Sequence, residues 1–166
     1  MNEKYDWIDK YNEIAQAYAK ESDRAAAVLI ASFLEDVMAG KLRAILVDDK
    51  KVAKLFDGYG PLATFAGKID MAFALGLLTP GMETDLNLIR KVRNHFAHSP
   101  RVTDFGDARV KSWCADLSVT RMPGLKVRDA RGQYIGAIAI SLVYFDRFVA
   151  AEERRRVPDK PPTERV

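Results

Sequence analysis

Residues 23–46 read DRAAAVLIASFLEDVMAGKLRAIL. Val28, Leu29, Phe33, Leu34, Val37, Leu42, Ile45 and Leu46 recur at steps of three and four in an alanine-rich background, the period of an α-helix with one buried stripe. Ser22 stands at the N-cap position, where a short hydroxyl side chain satisfies an amide that the helix leaves unpaired. The run VDDKK, 47–51, ends or interrupts the helix. A helix this long and this apolar must bury its stripe against other elements, and the period of the rest of the chain says they are helices too.

Residues 56–82, FDGYGPLATFAGKIDMAFALGLLTPGM, read as loop, helix, loop. Pro61 suits a first helical turn, where its missing N–H has no partner to lose, and Leu62, Phe65, Ile69 and Phe73 form the stripe, with Gly76 near the end. Thr79 followed by Pro80 is a second cap and first-turn pair, predicting a helix from Pro80 to about Ala97. Pro100 disfavours helix at Ser99, so residues 99–105 form a loop. A shorter helix covers Asp107 to Leu117. Residues 118–133 alternate weakly across Pro123 and Gly124, which permits a small hairpin near residues 117–130. From Gln133 to about Arg155, Ile135, Ile138, Ala139, Leu142, Val143, Phe145, Phe148 and Val149 mark a second long helix. Residues 1–20 fit a further amphipathic helix with Trp7, Ile8, Tyr11, Ile14 and Tyr18 turned to the core. The expectation is an all-α, single-domain bundle of about six helices over residues 1–156, with a flexible tail at 157–166, where three prolines fall in the stretch VPDKPPTERV.

The 166 residues suit one domain, and 48% hydrophobic with 30% charged residues is a globular composition. No apolar run approaches the ~20 residues that span a bilayer, and MNEKYDWIDKYNE is too polar for a signal peptide, so a cytoplasmic protein without membrane contact is expected. Cys114 is the sole cysteine; it reads as a buried small hydrophobe, and no thiol cluster exists to hold zinc. No metal and no cofactor are expected. The net charge of +3 hides an asymmetry. Residues 1–89 carry 10 Lys and Arg against 14 Asp and Glu, whereas residues 90–131 carry 10 against 4. A basic segment of that kind attracts phosphate, or simply faces water.

Gly-rich phosphate loops, paired-His zinc motifs, nucleophile elbows and a helix-turn-helix with an exposed reading helix are all missing from the sequence. Asp48-Asp49-Lys50-Lys51 reads as solvated charge, and Tyr59 as a packed turn residue. What remains is RKVRNHFAHS, 90–99. At about 100° per residue, Met82, Ile89 and Phe96 share the buried side, and Arg93 lies at its edge. A guanidinium there needs a carboxylate, carbonyl or phosphate partner. Asn94 and His98, four apart, are neighbours on the polar strip, while His95 points elsewhere. Arg93, Asn94 and His98 are the candidate catalytic residues: a planar fork for a phosphodiester, an orienting amide and a proton carrier near neutral pH. The structural alternative is equally physical, with His98 and Ser99 satisfying the last helical carbonyls and the helix dipole.

The Arg93, Asn94, His98 pattern resembles the Arg-x4-6-His motif of the HEPN superfamily, small all-helical domains that dimerise. In its nucleases the Arg and His of two subunits meet and cleave RNA without a metal. A wider likeness runs over residues 24–100. RAAAVLIASFLEDVMAGKLRAIL, DDKKVAKLFDGYGPLATFAGKIDMAFALGLLTP and DLNLIRKVRNHFAHSP, in that order, resemble the mannitol operon repressor (MtlR) family, the turn at Gly60-Pro61-Leu62 leading to Leu75-Gly76-Leu77 being the most specific part. That resemblance implies a helical homodimer regulating transcription of a sugar or stress operon, through protein partners because no DNA-binding motif is visible. The HEPN likeness implies the alternative, a metal-independent endoribonuclease, as in a toxin and antitoxin pair, with nucleic acid drawn to the basic 90–131 segment.

Overall fold

The computed structural model describes residues 6–122, 127 and 129–147. Its elements are α1 (Asp6–Ala17), α2 (Asp23–Ile45), α3 (Lys50–Ala53) running into a 3-10 turn (Lys54–Phe56), α4 (Phe65–Ala74), α5 (Pro80–His98), α6 (Ala108–Asp116), a 3-10 turn (Ser118–Arg121) and α7 (Ala130–Arg147). No strand occurs among the described residues, so the chain is an all-α bundle. Residues 118–121 of the expected hairpin are a 3-10 turn; the Pro123-Gly124 centre lies outside the described residues, as do the tail and the end of the last expected helix. The turn forms because Asp85 on α5 takes the Ser118 amide (3.0 Å) and also bonds the Ser118 hydroxyl. Those bonds pair the segment's polar groups without a cross-strand partner.

Caps fall where short polar side chains precede apolar periods. Ser22 accepts from the Ala25 amide at 3.2 Å, Thr79 from Met82 at 3.3 Å, and Asp107 from Arg109 and Val110 at 2.9 and 3.1 Å. Pro61 departs from its expected place. It follows Gly60, whose carbonyl accepts from Ala63, so Pro61 sits second in a β-turn, a position its fixed φ also suits. The helix begins four residues later, at Phe65, capped by the Thr64 hydroxyl on the Gly67 amide. At its other end Gly76 has φ +73, the Gly76 amide bonds Phe73 O and the Leu77 amide bonds Ala72 O. This is the double-bonded helix stop that needs a residue without a Cβ.

α7 is the central post. Tyr134, Ile135, Ala137, Ile138, Ala139, Leu142 and Phe145 are all buried, more of its circumference than one stripe requires, because α1, α2, α5 and α6 all lie against it. The buried Tyr134 hydroxyl donates to Ala27 O of α2 at 2.9 Å, and buried Ser141 bonds back to Ala137 O. Ile14 of α1 is buried, and Tyr11 and, just past the end of the helix, Tyr18 are half-buried against the core, as expected; the side chains of Trp7 and Ile8 lie outside the described set. Burial, with Asp129 nearby, raises the Tyr11 phenol above its ordinary range.

Two sequence assignments fail on exposure. Phe73, placed in the α4 stripe, is exposed, as are Leu29 and Phe33 on α2. A 23-residue helix with apolar side chains on more than one side cannot bury all of them against three neighbours. Tyr59 is fully exposed: Gly58, at φ +56, turns the chain outward before the ring can pack.

Candidate functional site

α2, α4 and α5 meet around an open cleft of about 490 Å³. Its lining includes Glu35 from α2, Thr64, Phe65 and Ala66 from the start of α4, and Arg90, Arg93, Asn94 and His98 from α5. All three candidate residues thus reach one space. The helical period places them there: positions 90, 93, 94 and 98 share a face of α5, while Leu86, Ile89, Val92 and Phe96 go into the core.

Arg93 lies at the core edge, with 29% of its side chain exposed. Its Nη1 donates to Asn94 Oδ1 at 3.0 Å, and its Nη2 lies 3.9 Å from Glu35 Oε2. The Nε is buried with no hydrogen-bond partner among the described residues. Of five guanidinium N–H groups only one is hydrogen-bonded among the described residues, and the partly exposed side chain lines the cleft, where a guanidinium fork can meet an oxyanion. Arg90 is held along the helix by Asn87 Oδ1, at 3.2 and 3.3 Å, and Asn87 by Glu83.

His98 is exposed and makes no hydrogen bond among the described residues. It does not cap its own helix. That work falls to Arg24 of α2, which donates to Ser99 O at 2.5 Å and to Val102 O at 2.9 Å and so fixes the loop beyond His98. His95 faces the opposite way, as its wheel position predicts. Its ring meets Trp113 edge-on at 5.4 Å, its Nδ1 lies 3.3 Å from the Ser99 hydroxyl, and its Nε2 lies 3.3 Å from Asp107 Oδ1 without the alignment of a hydrogen bond. His95 ties α5 to α6. The motif therefore contains one structural and one solvent-facing imidazole.

Sequence reasoning missed Glu35 and Lys68. Glu35 interrupts the apolar side of α2 that Ala31, Leu34 and Met38 continue, and Lys68 sits in the middle of the apolar α4 run. Lys68 is buried and donates to Glu35 Oε1 at 2.7 Å and to Ala63 O at 3.3 Å. The signal was available, since a charged residue at a core position calls for an opposite partner. Pairing the two, however, requires knowing that α2 and α4 cross.

The basic 90–131 segment is not one face. Arg90, Arg93 and His98 line the cleft, Arg101, Arg109, Lys111 and Arg121 are exposed elsewhere, and Arg131 is bound to Asp23 and to Tyr18 O. Cys114 is buried, and burial pushes its thiol up to about 12. Among the described residues no three His, Cys, Asp or Glu side chains cluster as metal ligands, and no helix is long and apolar enough to cross a membrane. No family model, curated protein or solved structure matches the chain.

Proposed function

We propose that the cleft binds the phosphodiester backbone of RNA and cleaves it without a metal ion. The observation that carries this reading is the convergence on one open cleft of Arg93, Asn94 and His98, the last without a hydrogen bond among the described residues. Arg93 and Arg90 supply the charge that an RNA backbone meets, with Glu35 offset by Lys68. A ribose 2′-hydroxyl attacks the adjacent phosphorus, forming the P–O2′ bond as the P–O5′ bond breaks. One imidazole takes the 2′ proton and another protonates the leaving 5′ oxygen. The products are a 2′,3′-cyclic phosphate and a 5′-hydroxyl, and no electrons leave the system. His98 of this chain and its copy in a homodimer are the two imidazoles that the HEPN resemblance suggests.

The test is cleavage of an RNA oligonucleotide by purified protein in excess chelator. Loss of a proton carrier costs roughly 100-fold or more in rate, so His98→Ala retains little activity, and Arg93→Ala loses both binding and rate. Equal background in all three proteins sinks the enzyme reading.

The second reading is the transcriptional regulator of the MtlR type, acting as a homodimer through protein contacts. It is favoured by exposed apolar side chains on two helices, Leu29 and Phe33 on α2 and Phe73 on α4. Under this reading Arg93 is a lock between α5 and α2. Light scattering on the wild type and on Leu29→Glu with Phe33→Glu is expected to show a dimer converted to monomer; a monomeric wild type removes the dimer from both readings.

A further inference from the structure

We propose that Glu35 is the positioning residue for Arg93, and that Lys68 is buried in order to hold Glu35; this rests on the phosphodiester reading of the same cleft. The carboxylate divides its two oxygens. Oε1 accepts the Lys68 ammonium at 2.7 Å, which fixes the plane of the group, and Oε2 faces Arg93 Nη2 at 3.9 Å. The second distance is within ion-pair range but beyond a hydrogen bond. Glu35 therefore orients the guanidinium without consuming the N–H that an incoming phosphate oxygen would take.

Both partners are deeply placed, the Lys68 side chain 8% exposed and that of Glu35 15%. A buried ion pair is seldom more stabilising than apolar residues of the same volume, so stability alone is a weak reason to set one into the crossing of α2 and α4. Its location supplies a better one. Without Lys68, the Glu35 charge would repel the backbone that Arg90 and Arg93 attract; with it, the cleft keeps a positive balance and the guanidinium keeps its anchor. Asn94 Oδ1 holds the Nη1 side, so the plane of the fork is fixed at two corners, and orientation of that kind is what converts bound anion into reacting anion.

The prediction separates orientation from attraction. Glu35→Gln removes a negative charge from the cleft wall, so KM for RNA stays the same or falls, while kcat drops about tenfold or more because the fork is no longer aimed. A merely unstable protein does not bind better and turn over more slowly. Since Glu35→Gln strands the Lys68 ammonium, the double variant Glu35→Gln with Lys68→Met is measured beside it, and it is expected to regain thermal stability without regaining kcat. Recovery of kcat in the double variant overturns the proposal, as does wild-type kcat in the single one. A second readout needs no RNA. In the full-length protein the nitrogen-15 side-chain resonances of Arg93 are expected to show hindered guanidinium rotation that is released in Glu35→Gln. If wild type cleaves no RNA, the phosphodiester reading fails by itself, while unchanged Arg93 rotation in the variant overturns the positioning role.

Discussion

At the scale of single residues, the two imidazoles of RKVRNHFAHS show how a short motif divides its labour. His95 and His98 differ by three positions, and that step carries one toward Trp113 on α6 and Asp107 at its N-cap and the other to the open cleft. The wheel made this division legible from sequence alone. It could not supply the partners: Glu35 is 58 positions from Arg93 in the chain, and periodicity within one helix says nothing of which helix crosses it. Cys114 is the opposite case, a reactive residue type placed where it cannot react. With its thiol pushed up to about 12, only roughly one molecule in ten thousand carries a thiolate at pH 8. Native protein should resist alkylation at pH 8 while urea-unfolded protein is alkylated in minutes; rapid labelling of the native state would contradict the burial of Cys114.

At the scale of elements, boundaries were readable where caps were local. Ser22, Thr79 and Asp107 each bond an amide two or three residues on, so cap and period lie within one window of sequence. The start of α4 was misplaced because proline is at home both in a first helical turn and second in a β-turn. The choice was made by the Gly60-to-Ala63 bond and by Leu62 bonding back to Leu55 O. Asp107 carries a pH consequence. Hydrogen bonds from the Val110 and Arg109 amides and the nearby His95 hold its carboxyl below its ordinary value. A lowered native pKa contributes stability that is fully present above the unfolded value of about 3.9 and is lost as pH falls through the native one. Asp107→Asn keeps a capping oxygen but no titration. Urea melts should therefore show wild type the more stable at pH 6 and the gap narrowing as pH falls below about 4, whereas a gap constant with pH would exclude the charged cap.

At the scale of the whole molecule, the all-α class was decided by period alone, since helical spacing recurs through both long helices and α5. Less accessible was which sides stay uncovered. Sequence put Leu29, Phe33 and Phe73 inside, and the bundle leaves them outside, because a helix with apolar side chains around most of its girth has more to bury than its neighbours can cover. The arrangement of α2, α4 and α5 also gives the candidate residues their setting. α5 presents the motif, α2 brings Glu35 beneath it and Arg24 to the loop beyond it, and α4 brings Lys68 to the crossing and its own first turn to the rim. The cleft is thus a product of three elements, of which the sequence motif describes one.

If, as proposed, this cleft cleaves RNA by way of the 2′-hydroxyl, the chemistry is written on the ends of the products. Wild-type protein in excess chelator should convert an RNA oligonucleotide to fragments ending in 2′,3′-cyclic phosphate and 5′-hydroxyl, read by mass spectrometry, and should leave the all-2′-deoxy oligonucleotide intact. Intact RNA, or cleavage of both oligonucleotides alike, would contradict it.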